Sequence, residues 1–352
     1  MIAIPSRLPS AGHKLTDSGL SLATGLDVGN ATTQVSLPGL KTVQQPSYCA
    51  YIYGHIEAPV RDDGGLVEYI NGTRADLIGQ RFLTGYPAYQ HDPKGRIEVV
   101  AERDGKPRYG LQLLLGALAT LPYRAEYGLA IAASIHDKVT LGSPLTGALQ
   151  GVHVVRLNGA DSETRVSVQV LRVLDEGAGV IAASYPRLTQ DSQVLLYDIG
   201  SGTSLVAVYG AKGKQIKHFP FSDLGVDRLI AAIAQNEAMR AHLQADGDKQ
   251  IIRKALERGD FRYGNGMNAW SFEDIYTAEL KPWISTVLRQ ILAAGRPYWE
   301  TSTAIAAVGG GSQLPKVREL LYKQGIQTLP DAHLVNAMGL QRIAGLLLGG
   351  AR

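Results

Sequence analysis

The 352-residue chain has one cysteine and five phenylalanines, and no apolar run approaches the ~20 residues that a bilayer span needs. With Cys49 alone, neither an intramolecular disulfide nor a cysteine-rich zinc site can form, which suits a reducing cytoplasm. The eight histidines include no H-x-x-x-H or H-E-x-x-H pair, so the usual helical metal-ligand spacing is missing. Neither sign of charge dominates: 35 Lys and Arg stand against 32 Asp and Glu, a net +3, and no broad nucleic-acid-binding surface is advertised. The first residues, MIAIPSRLPSAGHKLTDSG, are broken by prolines and lack the apolar core of a signal peptide. The longest apolar stretches, around 111–121 and 346–348, are short. A soluble, cytoplasmic protein is expected, with no membrane partner.

What the chain has in excess is glycine, 40 residues or about 11% against a usual ~7%. No G-x-y repeat accompanies it, so the excess asks where the backbone needs room. Apolar residues make up 45% and charged residues 19%, enough for a sizeable core. The length suggests two domains or one large α/β unit.

Strand-like and helix-like segments alternate after an irregular lead of about 20 residues. Residues 20–27 and 33–37 read as a hairpin around a glycine turn, 66–70 and 97–102 as short strands. Turn signals at 62–65, 71–72 and 104–105 punctuate that region. A buried helix is expected at 111–121, strands at 128–134, 152–157 and 166–174, and a helix over 180–185 ended by Pro186. The second half opens with strands at 194–197, 205–209 and 215–221. Helices follow at 226–243, 249–258 and 272–293, the last interrupted at Pro282, then a strand at 304–308 and helices at 315–324 and 334–348. The order argues an α/β fold.

Two segments carry the same pattern. GLDVGNATTQVSLPG (25–39) and LYDIGSGTSLVAVYG (196–210) share Gly, Thr, Val and Gly at +2, +5, +8 and +12 from an aspartate. The positions are Asp27, Gly29, Thr32, Val35 and Gly39, then Asp198, Gly200, Thr203, Val206 and Gly210, 171 residues further on. This reads as a duplicated strand–turn–strand unit, one copy per domain. In such a turn small residues let backbone N–H groups point outward, and Ser and Thr hydroxyls add donors, as in a phosphate-cradling nest. A carboxylate at the strand end repels phosphate unless a cation or water intervenes. Two turns facing one another would grip a polyphosphate and Mg²⁺. The plainer reading of each turn is a simple hairpin. A third cluster, Gly309, Gly310, Gly311 and Ser312, follows the strand at 304–308, where bare backbone admits a flat ring and a following helix offers N–H donors.

Two aspartate–glycine turns followed by V-G-G-G-S, in this order, resemble the actin/DnaK/hexokinase ATPase superfamily. The closing PDAHLVNAMGL (330–340) is similar to the P-x-x-A-x-A-x-G element of ParM-type bacterial and archaeal actin homologues. The resemblance implies an α/β, ribonuclease H-like fold with two similar domains flanking a nucleotide cleft. Residues 1–190, closed by a final helix at 337–352, would form the first domain and 191–336 the second. It implies ATP/ADP and Mg²⁺ as cofactors, with Asp27 and Asp198 holding the metal largely through water. Gly29, Asn30, Ala31, Thr32 and Gln34 would approach the phosphates from one side, Gly200, Ser201, Gly202 and Thr203 from the other. Gly309–Ser312 would pack on adenosine. Glu176, after the strand at 166–174, would polarise water for attack on the γ-phosphate, and Asp198 would help order the water or metal. A helix-capping surface acid is the alternative for Glu176.

One departure stands out. The family carries a basic residue at +7 from the first aspartate, and here Gln34 brings no charge. Leu205 likewise stands where many relatives have a polar residue. Of the remaining candidates, His136 and Asp137 occupy a loop that lies near nucleotide in relatives. Cys49, between Tyr48 and Tyr51, reads as packing, and Trp270, Trp283 and Trp299 as core or interface anchors. Arg253, Lys254 and Arg258 read as one solvated helix face. The resemblance implies a slow, polymerisation-coupled ATPase that forms filaments with itself. Its work would be plasmid or DNA segregation or scaffolding, with DNA contact left to an adaptor protein. A small-molecule kinase, with Asp137 as base, and a non-filamentous ATP-binding scaffold are the alternatives.

Overall fold

Parallel strands buried on both faces are read from near-continuous apolar runs, and 126–135, EYGLAIAASI, is such a run at the heart of the first sheet. The computed structural model describes residues 14–16, 19–54, 56, 63–99, 102–185 and 191–350. Most of the irregular lead, Asp62, Pro186 and the expected domain limit at 190 lie outside the described residues. Two compact units are present: Met1–Ser184 with Asn336–Arg352, and Tyr185–Val335.

The first unit contains β1 (Lys14–Thr16), β2 (Gly19–Val28), β3 (Thr32–Ser36), β4 (Val43–Pro46), β5 (Tyr48–Tyr51) and β6 (Leu66–Gly72). It continues with β7 (Arg81–Thr84), β8 (Ile97–Glu98), β9 (Glu126–Ile135), β10 (Gly151–Leu157) and β11 (Thr164–Asp175). Among the described residues these form one sheet in the order β4-β3-β2-β9-β11-β10-β6-β7-β5-β8, with β1 beside β2. Only its middle is parallel: β2 pairs with β9 and β9 with β11, so that Asp27 and Leu174 both lie level with Ser134. The carboxyl ends of three parallel strands thus meet at one edge, the place where open α/β sheets take ligands.

Helix α1 (Gly85–His91) packs near the β5 end, and α2 (Gly105–Ala119) covers one sheet face with every residue but Arg108 buried. It begins six residues before the expected 111. On the opposite face α11 (Val335–Gly349) sets Leu340, Ala344 and Leu348 against Ala23, Ala130 and Ala132. Two more helices follow strands, α3 (Lys138–Leu149) and α4 (Ala178–Ser184). Helix α3 escapes sequence reading because KVTLGSPLTGAL is rich in poor helix formers and includes Pro144. The Asp137 carboxylate, accepting from the Thr140 N–H at 3.0 Å, starts it.

The second unit holds β12 (Val194–Ile199), β13 (Thr203–Tyr209), β14 (Gln215–Ser222), β17 (Ala304–Val308) and β18 (Gln327–Thr328), in the order β14-β13-β12-β17-β18. A separate ribbon joins β15 (Arg262–Tyr263) to β16 (Trp270–Ser271). Its helices are α5 (Val226–Gln235), α6 (Glu237–Leu243), α7 (Lys249–Arg258), α8 (Glu273–Trp283), α9 (Arg289–Gly295) and α10 (Val317–Lys323). The single helix expected over 226–243 is two. Asn236 has φ −59° and ψ 140°, and its side chain caps α6 by accepting from Ala238 N at 3.0 Å. Pro282, expected to interrupt its helix, stays inside α8, and a π-helical turn at Ile284–Leu288 carries the line on into α9.

Candidate functional site

The repeated sequence pattern is a repeated structure. In the first unit Asp27 pairs across the hairpin with Gln34 and lies beside Ser134 on the parallel neighbour. In the second, Asp198 pairs with Leu205 and lies beside Val308 on its parallel neighbour β17. Each aspartate therefore closes a strand held between an antiparallel hairpin partner and a parallel strand. Both turns fold back the same way. Gly29 N donates to Thr32 O at 2.9 Å, and a Cβ on Gly29 would lie 2.8 Å from that oxygen. A Cβ on Gly200 would likewise strike Thr203 O. Glycine at +2 is thus a steric requirement in both copies.

Around Asp27 the first unit assembles a polar cluster. Ser134 Oγ donates to Asp27 Oδ1 at 2.7 Å, and Asn336 Nδ2 donates to Ser134 Oγ at 3.1 Å. Asn336 Oδ1 in turn accepts from Gly179 N at 3.1 Å, tying the start of α11 to the start of α4. Lys106, second residue of α2, pairs its Nζ with Glu176 Oε1 at the end of β11. Burial pushes the Asp27 carboxyl above its ordinary value. The Lys106 charge and hydrogen bonds from Asn336 and Ser134 oppose that shift, and the Glu176 charge adds to it. Burial, then the Lys106 charge, lower His136 below the ordinary histidine value, so its imidazole favours the neutral form.

Glu176 is thus half of an ion pair with buried Lys106, close enough to Asp27 for its charge to be felt there. Gln34 is buried and donates from Nε2 to Thr32 Oγ1 at 2.6 Å, so its amide is spent on its own turn. Asn30, Ala31 and Thr32 are half-buried on that turn, and the Gly29 and Ala31 carbonyls accept from Ser47.

In the second unit the turn is braced from below. Ser201 Oγ donates to Asp227 Oδ1 at 2.8 Å, and the Arg253 guanidinium reaches both Ser201 Oγ and Asp227 Oδ1. Arg253 is therefore not on a solvated face: its side chain is only 14% exposed. The face expected of it fails because α7 turns this residue toward Ser201 and Asp227. Arg258, further along, pairs with Asp260 at the surface. The N–H groups opening α5 bond the turn, Val226 N to Gly200 O at 3.1 Å and Asp227 N to Ser201 O at 2.9 Å. Trp283 is buried in the core and donates to Gly225 O at 3.0 Å. Gly202 is half-buried and Thr203 exposed.

The third cluster lies beside Asp198. Gly309 has φ 80° and ψ 161°, a region essentially reserved for glycine, and a Cβ there would lie 2.6 Å from Asp198 Oδ1. A Cβ on Gly310 would meet nothing within 4 Å, so this residue presents bare backbone to open space. Gly310–Gln313 form a 3-10 turn, which Ser312 closes by donating to Gly309 O at 2.8 Å. The helix expected at 315 starts only at Val317.

Asp137 is engaged as the α3 cap and in an ion pair with Arg103 at 2.7 Å. Cys49 is fully buried, and burial pushes its thiol up to about 12, which fits packing. Lys106, Ser134, Asn336 and Asp227 were missed by sequence reasoning as site residues, and Arg253 was misread as solvated. Asn336 lay in a segment singled out by its pattern.

Among the described residues no three or more His, Cys, Asp or Glu side chains gather to hold a metal, and no helix is long and apolar enough to cross a membrane. The donor set still suits Mg²⁺, which keeps most of its waters and is bound through one or two carboxylates plus substrate phosphates. Asp27, half-buried and with its carboxyl pushed above its ordinary value, is a carboxylate whose charge a cation would stabilise.

These features build an α/β fold similar to that of actin homologues. No family model matches the sequence. Among solved structures, an archaeal actin homologue is similar with a TM-score of 0.70 at 18% identity, covering 92% of this chain and 98% of that one. A ParM from a 15-stranded filament of Clostridium botulinum gives 0.69 at 12% identity, over 92% and 99%. Bacillus thuringiensis ParM with AMPPNP gives 0.65 at 16%, over 94% and 99%.

Proposed function

We propose that the chain binds and hydrolyses ATP and that nucleotide state governs its self-assembly into filaments, serving plasmid or DNA segregation or cytoskeletal scaffolding. The observation that carries this reading is the duplicated aspartate turn, with Asp27 and Asp198 at matching strand ends and glycines enforced at +2 in both. The similarity to a ParM in filament form and to one holding AMPPNP supports it. In this reading the turn of Gly29, Asn30, Ala31 and Thr32 in one unit, and that of Gly200, Ser201, Gly202 and Thr203 in the other, are each phosphate-binding turns. The open backbone at Gly310 takes the nucleoside.

Asp27 and Asp198 are the carboxylates that would hold Mg²⁺, and the ion would supply charge neutralisation at the phosphates. Glu176 accepts a proton from the attacking water. The water oxygen bonds to the γ-phosphorus as the bond from that phosphorus to the β-bridging oxygen breaks, releasing ADP and phosphate. DNA is contacted through an adaptor and not by this chain directly.

Light scattering, electron microscopy and phosphate release with Mg-ATP test the reading. A concentration-dependent rise in scattering with visible filaments and slow phosphate release is expected. Glu176→Ala and Asp198→Ala should still bind ATP and lose release. Failure of calorimetry to detect nucleotide overturns ATP binding, and absence of scattering at high protein concentration overturns the filament reading.

A further inference from the structure

The first turn lacks the cation that a polyphosphate calls for. Gln34 stands opposite Asp27 and spends its amide on Thr32. Two carboxylates, Asp27 and Glu176, lie at this edge, and both repel phosphate. A cation reaches them from another element. Lys106 has a side chain only 4% exposed, its ammonium on Glu176 and its charge felt by Asp27 and His136.

Fold stability does not account for a lysine there. It is the second residue of α2, at the helix end whose dipole disfavours cations. Taking an ammonium and a carboxylate out of water together is often no better than an apolar pair of the same volume. Apart from exposed Arg108, the rest of the helix is apolar or small save for Gln112 and the Tyr109 hydroxyl, and its packing asks for no buried charge.

We infer that Lys106 is the phosphate-binding cation of the first turn, supplying from α2 the charge that Gln34 does not. The assignment rests on the ATP reading above. Lys106 exchanges part of its contact with Glu176 for a phosphate oxygen. A nucleoside without phosphates gains nothing from it.

Titration calorimetry with ATP, ADP and adenosine, in Mg²⁺ buffer on the full chain, separates the possibilities. Lys106→Met should weaken ATP and ADP about ten-fold or more, the loss of one charge-assisted contact, while adenosine binding holds. Adding Gln34→Lys to that variant should restore much of the loss, because charge returns to the same turn from the hairpin side. Wild-type protein that takes up neither nucleotide overturns the functional reading and this assignment with it. Wild-type binding matched within two-fold by Lys106→Met, or an equal loss for adenosine, overturns the assignment alone. Should Lys106→Met fail to fold, wild-type protein with ¹³C-labelled lysine carries the test. The Lys106 Cε resonance should move with ADP and stay with adenosine, and a resonance unmoved by ADP overturns the assignment.

Discussion

Two adjacent glycines in the second unit offer a matched test, because one is needed by the fold and the other is not. In Gly309→Ala the new Cβ would lie 2.5 Å from Ile199 O and 2.6 Å from Asp198 Oδ1. Backbone at φ 80° and ψ 161° costs a non-glycine residue about 1–3 kcal/mol. Pushing Ile199 and Asp198 aside adds overpacking strain of about 1–3 kcal/mol. The sum, roughly 2–6 kcal/mol, is a large part of the ~5–15 kcal/mol that holds a domain folded. Gly310→Ala meets nothing within 4 Å and should change stability by less than about 0.5 kcal/mol. Urea unfolding followed by tryptophan fluorescence is the assay, since Trp270, Trp283 and Trp299 all lie in the second unit and report on it. If the nucleoside packs on this turn, Gly310→Ala should still lose ATP affinity. Equal destabilisation by both variants, or none by Gly309→Ala, refutes the reasoning.

Asn336→Ala strips the acceptor from the Gly179 N–H and the donor from Ser134, and should lower the stability of the first unit by about 1–3 kcal/mol. Far-UV circular dichroism in urea reads it, and an unchanged midpoint contradicts it. Tyr197→Phe removes the acceptor for Trp299 Nε1 at 2.7 Å and the donor to Leu292 O at 3.2 Å. A loss of about 1–3 kcal/mol is expected in the tryptophan-detected transition. Asp137 is held down to about 2 from 3.8 by the Thr140 N–H and then Arg103. A lowered carboxyl stabilises the fold above its unfolded value, and that contribution drains away as pH falls from about 4 toward 2. Asp137→Asn should flatten the acid limb of a stability profile in that window, and an unaltered limb counts against the assigned bonds.

The strand–turn–strand repeat was legible because its information is local: aspartate, glycine and threonine sit within six residues of one another in each copy. Most strands were legible for the same reason, being β-branched runs between glycine turns. The cluster around Asp27 was not. Ser134 lies 107 residues from Asp27, Glu176 lies 70 from Lys106, and Asn336 lies 202 from Ser134. Only sheet order and the crossing of α2 and α11 bring them to one edge. Arg253 was misread for a related reason. A basic run on a short helix looks solvated until the fold shows that one of its residues faces a serine in the neighbouring turn.

The first unit is discontinuous along the chain, and this bears on how the protein is made. Its closing helix, α11, begins after the whole of Tyr185–Val335. At synthesis rates of roughly 5–20 residues per second, on the order of ten to thirty seconds pass between the last strand of the first sheet and the arrival of that helix. Throughout that interval Ala23, Ala130 and Ala132 have no Leu340, Ala344 or Leu348 to cover them. The second unit is continuous and has no such wait. On the ribosome it is the later-synthesised unit that can finish first, leaving the earlier one to be completed by the final fifteen-residue helix.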